Sequence, residues 1–143
     1  MKVPYTIHAG EAVGPESVYK ALEFGAKRLG HGVRSLEDAA LLERLAWDGI
    51  TLELCPTSNL NTNIFNSIEE YPIPSLMEAG VRVTINTDNI MVSGVSLQSE
   101  WEKLVNTFHL TGEQILQMQK NAAEAIFAEE SVKKWLREQI MSD

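Results

Sequence analysis

Four short runs rich in aliphatic and β-branched residues recur along the chain: VPYTIHA (3–9), RLGHGV (28–33), ITLELC (50–55) and VRVTINT (81–87). Between them lie stretches with helical spacing, and that alternation is the strongest constraint the sequence imposes. Parallel neighbours need a long crossover, normally a helix, so β-α-β-α-β-α-β predicts a parallel α/β sheet. The first crossover, PESVYKALEFGA, sets Val18, Ala21, Leu22 and Gly25 at helical intervals, with Pro15 suited to a first turn. The second, SLEDAALLERLAWDG, offers Ser35 as N-cap and Gly49 as stop. The third opens with a polar loop, PTSNLNTNIFNSIEEY, before a helix around IPSLMEAG that ends at Gly80. Residues 97–140 then break the rhythm and read as three helices, with Thr111 and Gln114 spaced as a capping box.

A chain of 143 residues suits one region with its own core, and we take 1–143 as a single unit. Twelve Lys and Arg against 20 Asp and Glu give a formal charge of −8, which argues against nucleic acid or an anionic membrane as partner. No apolar run approaches a membrane span, and the start MKVPYTIHAGEA lacks the long apolar core of a signal peptide. Cys55 is the only cysteine, so no internal disulfide forms and a reducing, cytoplasmic setting is expected.

In parallel α/β proteins, ligands gather where strands end. Here the first strand ends in His8 with Glu11 just beyond, the second in His31, the third runs into Ser58 and Asn59, and the fourth into Asp88 and Asn89. Taken one at a time, these have ordinary structural explanations: a buried imidazole on a carbonyl, an Asx turn, a capping serine. Taken together, they bring His, Glu, His and Asp to one rim. Neutral imidazole and carboxylate are zinc ligands, and zinc lowers the pKa of a bound water towards about 7. On that reading His8 binds metal and Glu11 faces the substrate as an acid.

TIHAGEA, RLGHGV, LELCPTSNL and VTINTDN also resemble, in order and approximate spacing, the motifs of adenosine deaminases of the amidohydrolase superfamily, and NAAEAIF resembles their C-terminal helix. The resemblance implies a TIM-barrel-type fold, of which this chain supplies the last four βα units, a half barrel, plus C-terminal helices. By the same resemblance His8 and Asp88 are zinc ligands, and Glu11 protonates purine N1 so that C6 becomes electrophilic. His31 orients the attacking water, and Asp88 takes its proton. The implied ligand is a small purine nucleoside and the implied reaction is adenosine to inosine and ammonia. Asn89 stands where some members carry a second acid thought to face purine N7; its amide already holds donors for that acceptor, and an Asx turn is its other reading. Ser58 and Asn59 shape the pocket or serve the turn. Gly10 and Gly32 let the backbone pass close to a ligand or make a tight turn.

The family's other zinc ligands form a His-x-His on its first strand, and no such motif occurs here. His109, the only other histidine, sits at a helix end and reads as structural or surface. A barrel of this type takes ~250 residues, so the N-terminal half is absent, the zinc site is incomplete and the chain alone is expected to be weakly active or inactive. Exposed sheet edges would favour self-association. Two alternatives stand beside adenosine deamination: a related purine such as adenine or a modified adenosine, or a catalytically silent truncated or assembly module. The zinc deaminases that act on flipped bases carry H-x-E and P-C-x-x-C; neither occurs here.

Overall fold

Alternate residues of a strand point to opposite faces, and in this chain the two faces differ in chemistry. The computed structural model describes residues 3–142. In it β1 (Thr6–Ala9), β2 (Arg28–His31), β3 (Thr51–Leu54) and β4 (Arg82–Ile85) form one parallel sheet in chain order. Register aligns Ile7, Leu29, Leu52 and Val83 across the sheet, with Leu54 beside Ile85. This apolar face packs with Val18, Leu22, Leu41, Leu45, Ile73 and Leu76 into the core. Burying one such side chain stabilises the fold by about 1.5–3 kcal/mol.

The opposite face reads Thr6–Arg28–Thr51–Arg82 in one row and His8–Gly30–Glu53–Thr84 in the next. Glu53 accepts a hydrogen bond from Thr6 Oγ1 at 2.9 Å. Its other oxygen lies 2.9 Å from Arg28 Nε, an ion pair poorly aligned for a hydrogen bond. Arg28 also donates to the Ala125 carbonyl at 3.0 Å and lies 4.0 Å over the Phe127 ring. A polar inner face with helices on the other side is the arrangement of a partial (β/α) barrel.

The helices are α1 (Pro15–Glu23), α2 (Ala39–Trp47), α3 (Pro56–Asn61), α4 (Ile73–Glu78), α5 (Ile90–Ser93), α6 (Leu97–Phe108), α7 (Gly112–Ala125) and α8 (Glu130–Ile140). Pro15 opens α1, and the Thr111–Gln114 capping box forms at α7, both as the sequence predicts. His109 lies exposed at the C-cap of α6. None of the described helices is long and apolar enough to cross a membrane. The even residues of β4 face β3, because Asn86 N–H donates to the Leu54 carbonyl at 2.8 Å; Val83 therefore points its carbonyl off the sheet edge. Asn121 of α7 donates to it at 3.0 Å, so this edge, expected to be open, is partly closed by the chain's own helix.

Two expectations need correction. The polar stretch after β3 is not all loop, since its first six residues form α3. Ser35 is not the N-cap of α2. It sits in a 3-10 turn over Val33–Glu37, and Asp38 caps the helix by accepting from Leu41 N–H at 3.1 Å. The Ser35 hydroxyl is buried with no hydrogen-bond partner among the described residues, and an unsatisfied buried polar group costs stability. Ser35→Ala is therefore expected to leave stability unchanged or raise it. Asp38→Ala should lower it by ~1 kcal/mol, since Asp38 also accepts from the Tyr19 hydroxyl at 3.0 Å. Urea melts check both: a lower midpoint for Asp38→Ala and no decrease for Ser35→Ala is the expected result.

Candidate active site

Each strand of the sheet hands its next residues to the same rim. Beyond β1, Gly10 turns the chain and Glu11 follows. Gly10 has φ +65°, and a Cβ there would lie 2.7 Å from Val18 Cγ2 and 3.1 Å from Gly32 Cα. Both of its backbone polar groups are engaged internally: its N–H donates to Ser17 Oγ at 2.8 Å and its carbonyl accepts from Arg34 N–H at 2.9 Å. Its contribution is therefore the shape of the turn that carries Glu11. Gly30 makes room for His8: a Cβ there would meet the imidazole at 3.0–3.1 Å.

His31 ends β2 and Asp88 follows β4, and both adopt left-handed backbone, φ +64° and +55°. The described residues hold only two other non-glycine cases, Asn63 and His109. Such conformations cost roughly 1–3 kcal/mol and persist where the surroundings over-determine them. Two of the four fall on residues singled out for chemistry.

What joins these residues is α3. Asn59, fully buried, donates through Nδ2 to Glu11 Oε1 at 3.1 Å and lies 3.1 Å from His31 Nδ1 through the same nitrogen. Glu11 Oε2 is 3.5 Å from His31 Nε2. The His8 and His31 rings stand 5.2 Å apart between centroids, tilted by 58°. One residue earlier in α3, Ser58 Oγ donates to Asp88 Oδ2 at 2.7 Å. The groups expected to act together thus converge: Glu11, His31 and His8 on one side, Asp88 on the other, with Ser58 and Asn59 bracing both. His31 is buried, Glu11 is half-buried, and His8 and Asp88 are exposed at the rim. Asn89 Oδ1 accepts from Met91 and Val92 N–H, each at 3.1 Å, and so caps α5; its amide NH2 has no partner among the described residues.

Three contributors were not evident from the sequence. Tyr71, buried, donates to Asn59 Oδ1 at 3.0 Å. Burial pushes its phenol well above the usual range, aided by nearby negative groups. Glu100 of α6, also buried, accepts from Thr57 N–H at 3.1 Å and from the Thr57 hydroxyl, which in turn accepts from Lys103. It anchors the N-terminus of α3, where a negative charge is favoured. The available signal was an acid four residues from Leu104, on that helix's buried stripe. Cys55 precedes α3, and burial together with the Asp88, Glu53, Glu11 and Glu100 charges pushes its thiol up to about 12, so it stays protonated at neutral pH. For Tyr71, outside any periodic segment, no signal existed.

No group of three or more His, Cys, Asp or Glu placed to hold a metal occurs among the described residues. His8 and Asp88 are right in kind for zinc, but two donors fall short of the three protein ligands such a site needs.

The family model described as "Adenosine deaminase" matches residues 1–143. An adenosine deaminase of Haemophilus ducreyi is 42% identical over 134 residues, covering 94% of this chain and 39% of that protein. One from Salmonella typhi is 43% identical over 136 residues, 94% of this chain and 41% of its own. The chain thus spans about two fifths of the length of these relatives. Among solved structures, an adenine deaminase from Arthrobacter aurescens superposes with a TM-score of 0.94 at 24% identity, over 98% of this chain and 43% of its own. An Arabidopsis N6-mAMP deaminase gives 0.86 at 29%, over 98% and 41%. A Burkholderia ambifaria amidohydrolase solved with bound zinc gives 0.83 at 20%, over 98% and 43%. With the motif-bearing strand ends converging on one rim and a family match running the whole length of the sequence, this chain belongs to the adenosine deaminase family.

Proposed function

We propose that residues 1–143 form the C-terminal part of a hydrolase that converts adenosine and water to inosine and ammonia. The observation that carries this reading is the placement of Glu11 and His31 on Asn59, and of Asp88 on Ser58, at consecutive positions of one helix. Glu11, half-buried and held through one oxygen, would give a proton to purine N1 from the other, leaving C6 short of electrons. His31 would orient the water that adds there, and Asp88 would accept its proton and pass it to the amino group, which leaves C6 as ammonia with the bonding electron pair while the new hydroxyl becomes the carbonyl and its proton restores Glu11. The amide NH2 of Asn89 is a donor suited to purine N7. Zinc, held in part by His8 and Asp88, would supply the Lewis acidity that brings a water's pKa towards about 7. Its remaining ligands would come from outside residues 1–143.

A related purine is the competing substrate, favoured by the likeness to an enzyme named for N6-mAMP. Ammonia and methylamine release from adenosine, adenine and N6-mAMP, measured on a full-length protein carrying this segment with zinc supplied, separates the two. Turnover of adenosine far above the others supports the first reading, and the reverse order replaces it. The 143-residue chain by itself is expected to bind zinc weakly and to fall far below the usual 1–10³ s⁻¹. Turnover within that range by the isolated chain would show that its own donors suffice.

A further inference from the structure

We propose that Tyr71 and Asn59 are positioning residues that fix His31 as the tautomer protonated on Nε2, so that it meets the reaction as a hydrogen-bond donor. The inference deepens the functional reading and rests on it for the direction in which His31 faces.

The hydrogens around Asn59 can be counted. An amide carries two donors on nitrogen and one acceptor oxygen, and a carboxyl oxygen that bears no hydrogen can only accept. Glu11 Oε1 lies 3.1 Å from Asn59 Nδ2, which assigns one amide hydrogen to the carboxylate. The Tyr71 hydroxyl reaches Asn59 Oδ1 at 3.0 Å and satisfies the oxygen. The second amide hydrogen has one remaining neighbour, His31 Nδ1, also at 3.1 Å. Nδ1 must then be the bare nitrogen, and the neutral ring carries its proton on Nε2, which faces Glu11 Oε2 at 3.5 Å.

The reversed amide would point its oxygen at the carboxylate. It would stand only with Glu11 protonated on Oε1 and His31 protonated on Nδ1, and its hydrogens would then meet only the tyrosine oxygen. Burial makes the choice firm, because His31, Asn59 and Tyr71 are each at most 1% exposed and no solvent can rescue a mismatched donor. The frame is rigid as well. Glu100 pins the start of α3, and the Phe65 ring packs edge-on to Tyr71 with centroids 5.2 Å apart.

The consequence is a division of labour. A ring with a hydrogen on Nε2 has no lone pair there, so His31 orients water or steadies developing negative charge, and Asp88 is left as the acceptor of protons.

The test reads the tautomer directly. The chain is labelled with ring-¹⁵N histidine, and long-range proton–nitrogen correlation spectra at neutral pH show which nitrogen of each of its three histidines bears hydrogen; signals lost in His31→Gln identify this ring. The expected pattern is a protonated Nε2 and a bare Nδ1. Asn59→Asp, which offers an acceptor to Nδ1, should move the hydrogen there, and Tyr71→Phe, which frees the amide to turn, should give a mixture of tautomers. Nδ1–H in the unaltered chain, or an Asn59→Asp spectrum identical to it, overturns the assignment. In a full-length protein, Tyr71→Phe should lower kcat about 10-fold or more with KM little changed; a change in KM alone would contradict a positioning role. Because the spectrum needs neither substrate nor metal, the tautomer can be found as expected even where adenosine is not turned over, which would count against the functional reading alone.

Discussion

Replacing Glu11 with glutamine in a full-length protein carrying this segment is expected to lower kcat for adenosine by a factor of about 10²–10⁴, the span typical of a positioned general acid. The substitution keeps the shape of the side chain and an oxygen for Asn59 Nδ2, now 3.1 Å from the carboxylate. What it removes is the transferable proton. The signature is a large fall in kcat with KM and the far-UV circular dichroism nearly unchanged. A variant retaining more than about a tenth of the turnover would mean that proton delivery to the purine lies with another group.

Gly10→Ala is the largest expected effect on stability. A side chain at φ +65° costs about 1–2 kcal/mol. The new methyl would also stand 2.7 Å from a buried valine and 3.1 Å from the backbone of Gly32, and overpacking of that kind adds roughly 1–3 kcal/mol. Together they predict a loss of roughly 2–5 kcal/mol, read as a urea midpoint lower by about 1–2 M at the slopes usual for small domains. An unchanged midpoint would show that the turn adapts, and the position of Glu11 would then owe little to Gly10.

The alternation of strand and helix was legible because hydrophobic period and length agree over every βα unit. The ordered ladders are nonetheless shorter than the runs that announced them: VPYTIHA contributes Thr6–Ala9 and VRVTINT contributes Arg82–Ile85. Beyond Ile85 the ladder runs on by one bond, from Asn86 N–H to the Leu54 carbonyl, before the chain turns at Asp88. Ser35 failed as the cap of α2 for a local reason: it lies inside a 3-10 turn, and the helix opens three residues later at Asp38.

Helix α3 was illegible because Thr, Ser and Asn are poor helix formers. Its support comes from Glu100, 43 positions away at Thr57. The site residues at strand ends could be named from their positions in the motifs. Tyr71 could not, since its role depends on the fold of a connection that has no periodicity to read.

The seating of Ser58 and Asn59 side by side has a bearing on how such sequences can drift. Successive residues of a helix are separated by roughly 100° of rotation, which is what lets one face Asp88 and the other His31. An inserted or deleted residue between Leu54 and Pro56 would rotate both by that amount and take each from its partner. The same change between Phe65 and Ile68 would alter neither. Length variation in this connection should therefore be confined to the stretch between Phe65 and Ile68, since Ile64 N–H donates to the Asn59 carbonyl and the Tyr71 hydroxyl to its side chain.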